Sequence, residues 1–242
     1  MTPRTLLRGA AIAAALLAAP AMAQAVNVDL GSTTLSGRTI QLVLLLTVLS
    51  LAPGLLMMVT SFTRIVVVLS LLRNGLGTQA TPPNAVLISL AMFLSLFIMK
   101  PTFDQAWANG VEPLTRGVIT EQQAAERIAE PLKAFMLKHT RADDLKLFVD
   151  LSRQPPPKKW SEVSFMTAAP AFMISELRRA FEIGFMLFLP FVIIDLVVAA
   201  ILMAMGMMML PPATVSLPMK LIFFVLVDGW HLVAGALVRS YG

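Results

Sequence analysis

A chain of 242 residues with 57% hydrophobic and 14% charged side chains lies far below the roughly 25% charge of soluble domains, and its mean hydropathy of +0.78 excludes an ordinary water-soluble globule. The net charge of +5 shrinks to +3 (17 basic against 14 acidic residues) once Arg4 and Arg8 are assigned to a targeting segment, and both signs mingle in the polar stretch, so no basic stripe for a nucleic-acid partner is expected. The absence of cysteine excludes disulfides and thiolate metal sites.

Residues 1–23 read as a secretory signal. Arg4 and Arg8 open it, Ala10 to Ala19 forms a short apolar run, and Ala21-Met22-Ala23 is a small-x-small triplet that predicts cleavage between Ala23 and Gln24. Residues 24–99 form a first apolar hairpin region. Its first segment is the uncharged run between Arg38 and Arg64, with a kink predicted at Pro53-Gly54. Its second, Ala85 to Met99, measures about 22 Å as a helix, short of a hydrocarbon core of roughly 30 Å.

Residues 100–180 hold most of the charge and are expected to be helical and extracytoplasmic. Thr120 to Gln123 fits a capping box, and Ile128, Leu132, Phe135 and Met136 recur at helical spacing. A second helix, Asp143 to Ser152, places Leu145, Phe148 and Val149 on one face; Pro155-Pro156-Pro157 ends it. Residues 181–242 form a second apolar hairpin with a methionine loop. One limb, Ile183 to Leu210, carries Pro190 and Asp195; the other, Leu221 to Val238, carries Asp228 and His231. Cleavage followed by four crossings puts both termini outside. The positive-inside balance supports that orientation by three basic residues (Arg64, Arg73, Lys220) against two (Arg38, Arg239).

Carboxylates inside apolar segments are costly against lipid, about 2.5–3.5 kcal/mol even on a lenient scale. With one segment short, one broken and two charged, these helices suit packing against partner subunits. Asp228 and His231, three apart, form either a proton relay or a buried polar pair that fixes packing. Asp195 and Lys220 flank the methionine loop and either pair or leave Lys220 to snorkel. Glu176, Arg178, Arg179 and Glu182 read as a solvated charge cluster at the entry to the third segment. No metal site, cofactor or catalytic residue is expected, since phosphate loops, GxSxG and HExxH are all absent.

The stretch MAMGMMMLPP, Met203 to Pro212, remains. Gly206, Pro211 and Pro212 predict a tight turn carrying Met207, Met208 and Met209. Unbranched thioethers repack at little cost, so such a turn is either a gap-filling helix end or a compliant apolar seal.

Four stretches together resemble the FliP/SctR family of type III export-gate subunits. They are MVTSFTRIVVVLSLLRNGLGTQATPPN (Met58 to Asn84), PAFMISELRRAFEIGFMLFLPF (Pro170 to Phe191), IIDLVVAAILMAMGMMMLPP (Ile193 to Pro212) and SLPMKLIFFVLVDGW (Ser216 to Trp230). The cleavable signal resembles the flagellar branch, and His231 stands where many relatives carry an amide. The resemblance implies a non-enzymatic, cofactor-free, all-α membrane subunit of a helical pore complex in the flagellar basal body, at the inner membrane with much of its mass on the periplasmic side. It implies a pentameric homo-oligomer with FliQ and FliR, further contact with FlhA and FlhB, and passage of unfolded flagellar subunits. Met207, Met208 and Met209 would then form the gasket around that pore. Two other functions fit the residues alone: a proton-coupled small-solute transporter using Asp195, Asp228 and His231, and an assembly scaffold without a pore.

Overall fold

The structure is a computed structural model, and it describes residues 57–78, 80–152, 157, 159–207 and 209–242, together with 40, 42–43, 46–47, 50–51 and 54. The signal segment with Ala23 and Gln24, Pro53 of the expected kink, and Met208 lie outside the described residues. The chain divides into two units, Met1–Ser50 and Leu51–Gly242; the second carries every element below.

Every regular element among its described residues is helical. Helix α1 spans Phe62–Leu76 and ends at Gly77, whose left-handed φ of 78° stops it. Helix α2 spans Asn84–Ala106, passes through a π turn at Trp107–Val111 and finishes with a further α turn at Glu112–Thr115. Helix α3 spans Glu121–His139, and Thr120 and Gln123 form the reciprocal cap that their spacing predicts. Helix α4 spans Ala142–Leu151, and a short 3₁₀ turn, Trp160–Glu162, leads to helix α5, Phe165–Ala204. Helices α6, Pro212–Leu226, and α7, Gly229–Arg239, complete the chain.

Two apolar cores hold this unit together, and α5 belongs to both. Its first turns place Ala168, Ala171 and Phe172 against Met136 of α3 and against Leu145 and Val149 of α4. Farther along, Ala180 and Phe191 pack with Ile65, Val68, Leu69 and Leu72 of α1, Leu87 and Ala91 of α2, Phe224 of α6, and Val233 and Leu237 of α7. The close approach of α1 and α5 depends on Gly184, where an added Cβ would stand 2.3 Å from Leu71 Cδ1.

Three segments differ from their sequence-based outlines. The short apolar run after Pro83 lies within 32 continuous helical residues, Asn84–Thr115, long and apolar enough to cross a membrane. Its polar continuation carries the exposed Lys100–Asp104 pair at 2.6 Å, and the helix runs on past the end of the apolar run. The third segment begins well before Ile183, because Ser164 caps Thr167 and starts a helix of 40 residues in which Pro170 and Pro190 are tolerated. Helices α2 and α5 therefore run through the boundaries at 99/100 and 180/181 without interruption. The fourth segment is two helices bent by 63°. By length and composition, the described residues provide two candidate membrane spans, or three if that bent pair is one span.

Candidate functional site

The methionine loop is shaped by backbone hydrogen bonding. At the end of α5, Gly206 turns left-handed with φ of 74°. Its N–H then donates to Met203 O at 3.0 Å, and the Met207 N–H donates to Leu202 O at 2.9 Å. This pair of bonds satisfies carbonyls that a helix end leaves free. Leu210 N–H donates to Met207 O at 3.3 Å, Pro211 sits extended at ψ of 121°, and Pro212 opens α6. Proline at that position loses nothing, because the first helical N–H has no intrahelical partner. Backbone hydrogen bonds thus hold the loop at either side, while the side chains of Met207 and Met209 lie outside the core. Met207 is 42% and Met209 98% exposed, whereas Met99 and Met136 are fully buried.

Beside this loop, Asp195 of α5 and Lys220 of α6 pair at 2.6 Å. Ser216 Oγ donates to the other carboxylate oxygen, also at 2.6 Å. The ammonium additionally donates to Gly75 O, at 3.1 Å. Gly75 lies in the last turn of α1, where helix carbonyls carry partial negative charge and favour a cation. Lys220 is 7% and Asp195 41% exposed at the side chain, so the lysine is held inside rather than snorkelling. One charge pair thereby ties α1, α5 and α6 together next to the loop.

Asp228 and His231 are not arranged as the sequence spacing suggests. Asp228 occupies the bend, with φ of 49° and ψ of 53°, and precedes the first residue of α7. The i, i+3 relation of a continuous helix therefore does not apply, and both residues are exposed rather than buried. Next to the bend, Gly229 leaves room for the ring of Phe224, whose Cε2 is 2.2 Å from where a Cβ would be. Among the described residues, no group of three or more His, Asp or Glu side chains could hold a metal.

The expected charge cluster divides in two. Arg178, Arg179 and Glu182 are exposed and pair at 3.3 Å, a solvated arrangement worth under about 1 kcal/mol. Glu176 is fully buried and belongs elsewhere. Its Oε2 accepts from Arg64 Nε at 2.9 Å, and its Oε1 accepts from Arg64 Nη2. The remaining Arg64 nitrogen, Nη1, donates to Ser240 Oγ at 3.0 Å and to Ser240 O at 3.3 Å. Tyr241 O–H donates to Glu176, and its ring lies 3.8 Å beneath the guanidinium. Arg64 is therefore no loop-flanking charge, as its place after the first apolar run suggested. It is a buried member of α1.

His139 completes this neighbourhood, with its ring 5.1 Å from that of Tyr241 and 4.7 Å from that of Phe135. Burial, then the charges of Arg64 and Lys138, lower its pKa to about 4 from 6.5. Between those values the unfolded chain binds the extra proton, so stability is full above pH 6.5 and is lost as the pH falls toward about 4. Thermal unfolding in detergent across that range is expected to show this acid slope. His139→Gln should flatten it, and an unchanged slope would remove the residue from the account.

Residues 45–237 match the FliP family. The chain belongs to the FliP family. It is 58% identical, over 96% of its length and 88% of the relative's, to the flagellar biosynthetic protein FliP of Caulobacter vibrioides. The corresponding protein of Agrobacterium fabrum is 52% identical over 94% of this chain and 96% of its own. That of Bacillus subtilis is 52% identical over 84% and 92%. Two features of this FliP-family chain escaped sequence reasoning. Arg64 and Glu176 are separated by 112 positions, and no local pattern links them. Tyr241, the single tyrosine, offered a weak clue, since a lone phenol at the end of an apolar segment needs a hydrogen-bonding partner when buried.

Proposed function

We propose that the chain is a structural subunit of the flagellar type III export gate, lining the route by which unfolded flagellar subunits leave the cell. The observation that carries this reading is the methionine turn, a hydrogen-bonded helix end that leaves the deformable apolar side chains of Met207 and Met209 exposed at the junction of α5 and α6. Thioethers that can repack suit a seal around chains of varying shape. The exposed apolar faces of α2 (Phe93, Phe97) and α5 (Phe185, Ile193, Leu196) supply surfaces for sister subunits. In this reading the chain works without enzymatic activity or cofactor, as a pentameric homo-oligomer with FliQ and FliR, next to FlhA and FlhB. It sits in the basal body at the inner membrane, with much of the assembly on the periplasmic side.

Replacing Met207, Met208 and Met209 together by alanine is expected to leave assembly intact and to raise ion leakage across the membrane. A permeability barrier equal to that of the parent would refute the gasket. The transporter reading requires Asp195, Asp228 and His231 to exchange a proton. Asp195 is instead engaged by Lys220 and Ser216, and Asp228 lies at the bend.

A further inference from the structure

We propose that Tyr241, the penultimate residue, is a positioning residue that latches α7 to the body of the protein through the buried Arg64–Glu176 pair. Three observations support it. Tyr241 and Ser240 lie beyond the last helix, yet Tyr241 is buried. Their polar atoms meet groups on α1, α5 and the segment before α1: Arg64 donates twice to Ser240, while Tyr241 O–H donates to Glu176 and lies 3.4 Å from Ser61 O. Its ring also lies 3.8 Å from the guanidinium carbon and near-parallel to the ring of Phe135 on α3, 6.0 Å away. Three elements distant in sequence, α1 with its N-cap, α3 and α5, thus converge on one side chain.

The chemistry explains why such a latch is needed. A buried ion pair is stable only when its remaining lone pairs and protons are satisfied. The carboxylate needs the phenolic donor, and the guanidinium needs the Ser240 oxygens. Burial, reinforced by the charge of Glu176, pushes the Tyr241 hydroxyl above its ordinary pKa, so it stays protonated and remains a donor. On the near side of the 63° bend, α6 is held by Lys220. On the far side, α7 enters the core through Val233 and Leu237, and its end is held by the latch. The two halves of the bent pair therefore have separate polar anchors, Lys220 on α6 and the Ser240–Tyr241 contacts beyond α7.

The test exploits the absence of native cysteine. In the full-length protein in detergent, Leu237→Cys places a thiol at a fully buried position of α7, and Leu145→Cys places one at a buried position of α4. Tyr241→Phe, which keeps the ring, and deletion of residues 240–242 are each combined with both reporters. Maleimide labelling at position 237 is expected to quicken about tenfold or more, the effect of losing a hydrogen bond to a charged group, while labelling at 145 stays slow. Equal acceleration at both positions would mean a general loss of stability and would overturn the latch, as would no acceleration at 237. Glu176→Gln supplies a second measurement. If Tyr241 acts through Glu176, adding Tyr241→Phe to it changes the rate little; multiplied effects would count against the proposal.

Discussion

Glu176→Ala is expected to cost about 3–5 kcal/mol, because it strands the Arg64 guanidinium in a buried site without its carboxylate. No surface charge change approaches this, since exposed pairs such as Arg178–Glu182 contribute less than about 1 kcal/mol. Against a typical stability of about 5–15 kcal/mol, that loss should appear as low yield and a sharply lower thermal midpoint in detergent. Removing both charges tests the cause. With Arg64→Leu and Glu176→Leu combined, no uncompensated ion remains, and much of the loss should be recovered. A double variant as unstable as Glu176→Ala would mean that the ionic geometry itself, rather than the stranded charge, is what the fold requires.

The second large effect is expected at Gly229. Three ring carbons of Phe224 lie within 2.6 Å of the place where a Cβ would stand, and a ring cannot yield as the far end of a flexible chain can. Phe224 is itself enclosed, 6.3 Å from Phe191 and 5.3 Å from Trp230 between ring centres. Gly229→Ala must therefore expel the ring from the core or open the bend, at about 1–3 kcal/mol for overpacking. Trp230 reports which occurs. In a background with Trp107→Phe and Trp160→Phe, its emission should shift as the ring contact is lost. An emission spectrum and thermal midpoint matching the parent would show that the bend does not rest on this glycine.

Much of the local structure was legible because its causes are local. The capping box at Thr120 needs only a threonine and a glutamine three residues apart. The turn at Gly206 followed by Pro211-Pro212 stops one helix and starts the next for reasons of φ angle and missing donors. Leu145 and Val149 are buried as their helical spacing suggested. Charge marked the helix ends at Arg73 and Arg239 but misled at other boundaries. Lys100 and Asp104 sit on a helix that continues past them. Arg64 and Glu176 look like flanking or interfacial charges but neutralise each other inside the protein. Hydropathy scores each residue alone, whereas the cost of burying a charge depends on the partner it finds.

Apolar composition, helix caps, proline and glycine placement and the motifs of the FliP family were determined by the sequence alone, because each depends on neighbouring residues or on the order of long stretches. The tertiary structure decided which charges are buried, that the last apolar segment bends at Asp228, and that Ser240 and Tyr241 close on α1 and α5. Those outcomes depend on contacts between residues far apart along the chain, such as Arg64 with Glu176 and Gly75 with Lys220. Their energy comes from mutual satisfaction of hydrogen-bonding groups in a space that exists only once the helices have packed.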